Sequence, residues 1–80
     1  MSPGTFEAKH YHNKSNQFFY ILSGEALMET NDGKFILKEH EGIEILPMMP
    51  HKIVNNSDQD VHFIVVSSPK SHGDRVVLEE

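Results

Sequence analysis

Short apolar stretches, each cut off by Gly, Pro, Asn, Asp or Ser, recur along the whole chain. That rhythm belongs to strands joined by tight turns. No window carries a sustained 3.6-residue apolar period, and Pro or Gly interrupts most helical candidates. An all-β fold is therefore expected. Strands are predicted near Phe6–His12, Gln17–Ser23, Ala26–Thr30, Phe35–Lys38, Ile43–Leu46, His51–Asn55, Val61–Ser67 and Arg75–Leu78. Asn31-Asp32-Gly33 supplies positive-φ residues for a hairpin turn. Asn55 to Asp60 reads as a polar loop, Ser67-Ser68-Pro69 as a strand end, and Lys70 to Asp74 as exposed. There is no internal repeat and no low-complexity segment.

With 80 residues the chain makes one small domain. At that size the core is marginal, and a partner, a metal or a disulfide usually assists it. The absence of cysteine excludes disulfides, thiol nucleophiles and thiolate metal sites, and it suits a reducing compartment. The opening Met1-Ser2-Pro3-Gly4-Thr5-Phe6 has neither a basic nor an apolar leader region, so a cytoplasmic location is expected. Twelve acidic residues against seven basic ones give a net charge of -5 with no basic block, which argues against nucleic acid or an anionic membrane as partner. The longest uninterrupted apolar run, Phe18 to Leu22, is too short to span a bilayer.

That run is apolar on both faces of its strand, so both faces should be covered. A second subunit would cover the outer face, and a homodimer is the expectation. The alternative is a central strand with loops laid over its outer face.

Six histidines in a chain this short direct attention to metal chemistry. His10-Tyr11-His12 puts two imidazoles on one strand face, because side chains alternate along a strand. Gly4 lies five intervening residues before His10, Gln17 four after His12, and Gly24 six after Gln17. Far along the chain, Pro50-His51 is followed by Asn55 after three residues.

This constellation resembles the cupin superfamily. The first cupin motif runs Gly, His, His, Glu, Gly, and Gly4, His10, His12, Gln17 and Gly24 match its spacing with one departure in residue type. The second motif is matched over residues 40 to 55, which keep the closing His51 and Asn55 and a nearby proline. The resemblance covers nearly the whole chain. It implies a single cupin domain over residues 1–80, an antiparallel jelly-roll β-barrel, with residues 67–80 as a C-terminal tail. It also implies one divalent transition metal (Fe, Mn, Zn or Ni) held by His10, His12, Gln17 and His51. The alternative is that these side chains line the barrel mouth without metal.

Three departures from the family pattern carry consequences. Gln17 stands where cupins have Glu, leaving the ion its full +2 charge, favouring an anionic ligand and removing a carboxylate general base. His40 and Met48 replace the two glycines of the second motif. His tolerates a left-handed turn, so His40 is expected in a turn and exposed, not as a ligand. The chain begins almost at the first motif, so a jelly roll incomplete at its N-terminus is expected.

With His10 and His12 facing inward, alternation places Phe19, Ile21, Ala26, Met28, Ile43, Ile45 and Ile53 inside as well. Met48 and Met49 are expected in the core, or as walls of a pocket beside His51. Tyr20 and His62 are candidate proton donors, or simply a strand tyrosine and a surface histidine. His72, Asp74 and Arg75 read as loop and interface residues of a tail like that of some small cupins, and no Ser-His-Asp hydrolase arrangement is indicated. Three functions follow. The first is a metal-dependent dioxygenase or isomerase acting on a small oxygen-rich molecule. The second is a non-catalytic module binding a small ligand such as a sugar or an anion. The third is a structural role. Fold alone does not choose among them.

Overall fold

In the computed structural model, residues 1–68 and 75–78 are described. Among these residues eight strands are formed: β1 (His10–His12), β2 (Asn16–Ser23), β3 (Ala26–Thr30), β4 (Gly33–Leu37), β5 (Gly42–Ile45), β6 (His51–Val54), β7 (His62–Ser68) and β8 (Arg75–Val77). There is no helix among the described residues, hence none long and apolar enough to cross a membrane. All pairings are antiparallel. One sheet has the order β4-β3-β6-β1-β8 and the other β5-β2-β7. Two facing antiparallel sheets of this kind make the expected jelly roll.

Burial alternates along β2, as a strand with one face on the core requires: Gln17, Phe19 and Ile21 are buried, while Phe18 and Leu22 are exposed. The core consists of Phe19, Ile21, Ala26, Met28, Leu37, Ile45, Ile53 and Val61, with Met1, Ile43, Met49 and Phe63 packed against it. Burying each large aliphatic side chain contributes about 1.5–3 kcal/mol. Leu37 and Val61 join the expected set because the β3–β4 hairpin and the 55–60 loop fold them under the sheets.

The expected Phe6–His12 strand is interrupted. Its first half runs along the end of β6, with Phe6 bridged to Val54 and the Glu7 N–H donating to the Ile53 carbonyl. The ladder resumes at His10. Between the halves, the Ala8 carbonyl accepts from the His10 ring at 2.7 Å. A backbone acceptor used by a side chain is one the ladder loses.

The two residues standing in for motif glycines adopt left-handed backbone, His40 at φ 67° and Met48 at φ 66°. His40 is exposed in a turn, as expected. Met48 departs from the core expectation. It is exposed, because its turn aims the side chain outward while its N–H donates to the His12 carbonyl at 2.6 Å. Only Met49 packs against the core. His72 and Asp74 lie outside the described residues, and Arg75 is described only as the start of β8.

Candidate metal centre

The inner face of β1 carries His10 and His12, and both are buried. His10 is the direct cross-strand partner of His51, the first residue of β6. Directly opposed residues of an antiparallel pair share a face, so three imidazoles from two distant parts of the sequence meet inside the jelly roll. Ring centroids are 5.1 Å apart for His10 and His12, 4.4 Å for His10 and His51, and 5.7 Å for His12 and His51. One ring nitrogen from each residue lies within 4.8 Å of the other two.

The hydrogen bonds orient this group. His10 Nδ1–H donates to the Ala8 carbonyl at 2.7 Å, and His51 Nδ1–H donates to the Met49 carbonyl at 3.0 Å. A carbonyl can only accept, so each Nδ1 must carry the proton. The neutral tautomer then holds its lone pair on Nε2. Fixing Nδ1 against a backbone carbonyl is the usual way a metal-binding imidazole is aimed. The chain supplies both carbonyls locally, each two residues before its histidine. In the second case the left-handed Met48 shapes the turn that presents Met49.

Gln17 comes from the opposite sheet. It is buried on the inner face of β2, two residues before Phe19, whose ring meets the edge of His51 at 5.8 Å. Its Nε2 donates to Ser67 Oγ at 2.9 Å, and its Oε1 is buried without a hydrogen-bond partner. An unsatisfied buried acceptor costs about 1–3 kcal/mol. The Ser67 hydroxyl could serve either end of the amide, so the orientation is decided by what the other end meets. A cation bound beside it would select the oxygen. The three buried imidazoles form a donor set suited to a divalent transition ion, and Gln17 Oε1 is a further buried oxygen on the inner face of the opposite sheet.

Among the described residues, no Asp or Glu joins the histidine group. Tyr20 and His62 do not face the interior. Tyr20 Oη is hydrogen-bonded to His40 Nδ1 at 3.1 Å on the outer side, and His62 is exposed. Two surface concavities also lie elsewhere. One, of about 400 Å³, is bordered by Glu25, Glu39 and Asp58, and another, of about 540 Å³, lies between β4 and β5.

Sequence reasoning overlooked the work of Asn55. Fully buried, it donates from Nδ2 to the carbonyls of Met1 (3.0 Å) and Gln59 (2.7 Å), and its Oδ1 accepts from the Ser57 N–H and hydroxyl. It organises the 55–60 loop and is not a ligand. The polar run after it is the signal that could have shown this, since such a loop needs an internal hydrogen-bonding hub.

Comparison with known proteins agrees with this architecture. The chain is 38% identical over 71 residues to the uncharacterized protein MJ1618 of Methanocaldococcus jannaschii, covering 88% of this chain and 57% of that protein. The chain spans about half the length of the curated relatives it matches. A Klebsiella pneumoniae protein with a double-stranded β-helix domain superposes with a TM-score of 0.86 at 24% identity, over 99% of this chain and 69% of that one. A sugar phosphate isomerase of the cupin superfamily from Silicibacter pomeroyi superposes with a TM-score of 0.77 at 22% identity, over 84% of this chain and 45% of that one. Likeness at these identities shows the fold alone. The cupin domain family model matches residues 1–67, and with the paired motifs and the two-sheet jelly roll this places the chain in the cupin family.

Proposed function

We propose that this cupin binds one divalent transition metal through His10, His12, His51 and Gln17 and acts on a small oxygen-rich metabolite. The observation that carries the reading is the buried histidine group with two of its Nδ1 atoms tied back to carbonyls. Bound there, a divalent ion supplies a Lewis acid that polarises a substrate oxygen. The protein's own part is to aim the imidazoles, present the Gln17 oxygen and screen the group from water with the Phe19 ring beside His51. With no carboxylate in the donor set, the site keeps a net positive charge and favours an anionic or enolate-like oxygen. Sugar phosphates, the class named for the Silicibacter neighbour, fall within that chemistry.

A second reading is favoured by Gln17. Because no carboxylate among the described residues stands with the histidines to move a proton, the same site would serve a non-catalytic module that captures a small anion or sugar.

The test is the metal content of protein purified without a histidine tag, beside His51→Ala. Near one equivalent per chain, lost in the variant, is expected. No metal in either protein after incubation with iron, manganese, zinc and nickel ions would overturn the reading. Turnover by the loaded protein separates enzyme from binding module.

A further inference from the structure

Gln17 lies in β2, the central strand of its sheet, between β5 and β7. Its direct cross-strand partners are Ile45 and Ser67. Directly opposed residues share a face, so both stand beside the Gln17 side chain. Ile45 is buried and apolar, and has nothing to offer an amide. Ser67 has a hydroxyl. The row of β7 that opposes buried Ile21, Phe19 and Gln17 reads Phe63, Val65, Ser67. The polar member of that row stands opposite the amide.

Gln17 Nε2–H donates to Ser67 Oγ at 2.9 Å, while Oε1 is buried without a partner. The two ends of a primary amide are not equivalent. The oxygen accepts and can coordinate a cation, whereas the NH2 group presents two donor hydrogens and would repel one. Whichever end Ser67 holds, the other end is turned away from β7. With the NH2 group on Ser67, the end left over is the ligating oxygen. A carboxylate at position 17 would offer two equivalent oxygens and need no such sorting. Glutamine in its place makes an acceptor at position 67 a requirement.

We infer that Ser67 is a positioning residue of the metal centre. Its hydroxyl accepts from the Gln17 amide and thereby holds Oε1 ready as the fourth donor, a role that rests on the reading of Gln17 as a ligand. Ser67 does not itself touch the ion. It acts through Gln17, as the carbonyls of Ala8 and Met49 act through His10 and His51.

The test compares Ser67→Val with Ser67→Thr, which have the same shape and strand preference and differ in the hydroxyl. Cobalt(II) is the probe, read by titration calorimetry and by its visible absorption bands in the untagged full chain. Ser67→Val should weaken cobalt binding about 10-fold, the lower end of what loss of such a supporting partner costs. It should also change the bands in the same way as Gln17→Ala. Ser67→Thr should keep the wild-type affinity and spectrum. Adding Ser67→Val to Gln17→Ala should cost nothing further, because the residue it positions is already gone. If neither variant at position 67 folds, Ser67→Ala against the wild type carries the same comparison.

Equal affinity in the Val and Thr variants would overturn the role of Ser67, as would a loss in the double variant equal to the sum of the two single losses. If Gln17→Ala weakens binding in that case, Gln17 remains a ligand and Ser67 alone is dismissed. If Gln17→Ala also binds as the wild type does, or the wild type takes up no cobalt, the ligand reading itself falls and the role of Ser67 falls with it.

Discussion

His10 and His51 face each other directly across the β1–β6 pair, their ring centroids 4.4 Å apart, although 41 positions separate them in sequence (51 − 10). The antiparallel register, not the spacing within either motif, joins the two halves of the site. A one-residue slip between β1 and β6 would turn one of the two imidazoles to the opposite face. Site and fold are therefore coupled, and a ligand binding this group binds only the folded chain.

Metal addition should raise the melting temperature accordingly. An ion at about 100 times its Kd adds about 2.7 kcal/mol, and about 1 kcal/mol shifts Tm by about 4–8 °C in a domain of this size. Calorimetry should record an upward shift of about 10–20 °C with the best-fitting ion. In His51→Ala the shift should shrink to a few degrees. An equal shift in both proteins would mean that the stabilising ion sits elsewhere.

Gln17→Glu should separate affinity from stability. The added carboxylate should tighten divalent-ion binding about 10–100-fold by titration calorimetry. In the metal-free protein the same charge sits buried and uncompensated, and should cost about 1–3 kcal/mol. The Ser67 hydroxyl can reverse its role and donate to the new carboxylate, which keeps the penalty from being larger. Unchanged metal affinity would remove Gln17 from the ligand set.

Much of this was legible before the structure. The eight strands follow from turn residues and period-two burial, and the inward set of β2 and β3 follows from the direction in which His10 and His12 point. His40 was readable as a left-handed turn residue because it occupies a motif glycine. The same reasoning applies to Met48, but its apolar side chain points toward the core on hydropathy alone, whereas the left-handed backbone turns it out to solvent. The break at Ala8 was not readable, since it arises from a hydrogen bond to His10 that depends on ring orientation. The role of Asn55 was hidden for a similar reason: its partners, Met1 and Gln59, meet only when the 55–60 loop closes.

Met48→Gly should stabilise the protein by about 0.5–1 kcal/mol. A non-glycine residue in the left-handed region carries about 1–2 kcal/mol of steric penalty, and the greater unfolded-state freedom of glycine offsets part of the gain. The lost side chain contributes little, being 59% exposed. Met48→Ala, which keeps a Cβ, should show no such gain. Chemical denaturation of the pair provides the comparison. Equal stability would mean that the turn is held by its hydrogen bond to His12 without appreciable strain.

Asn55→Ala should destabilise by about 2–4 kcal/mol, more than a typical surface substitution. Removing this amide strands the carbonyls of Met1 and Gln59 and leaves the Ser57 N–H and hydroxyl without their acceptor. Each unsatisfied buried group contributes about 1–3 kcal/mol, reduced where water can enter the loop. Asn55→Asp keeps the acceptor oxygen for Ser57 but turns a carboxylate oxygen toward two carbonyls, so it should be at least as damaging as alanine. If Asn55 instead served the metal site, both variants would change metal stoichiometry. Stoichiometry should persist at temperatures where the variants are folded. Urea denaturation and metal analysis on the same samples distinguish the two cases.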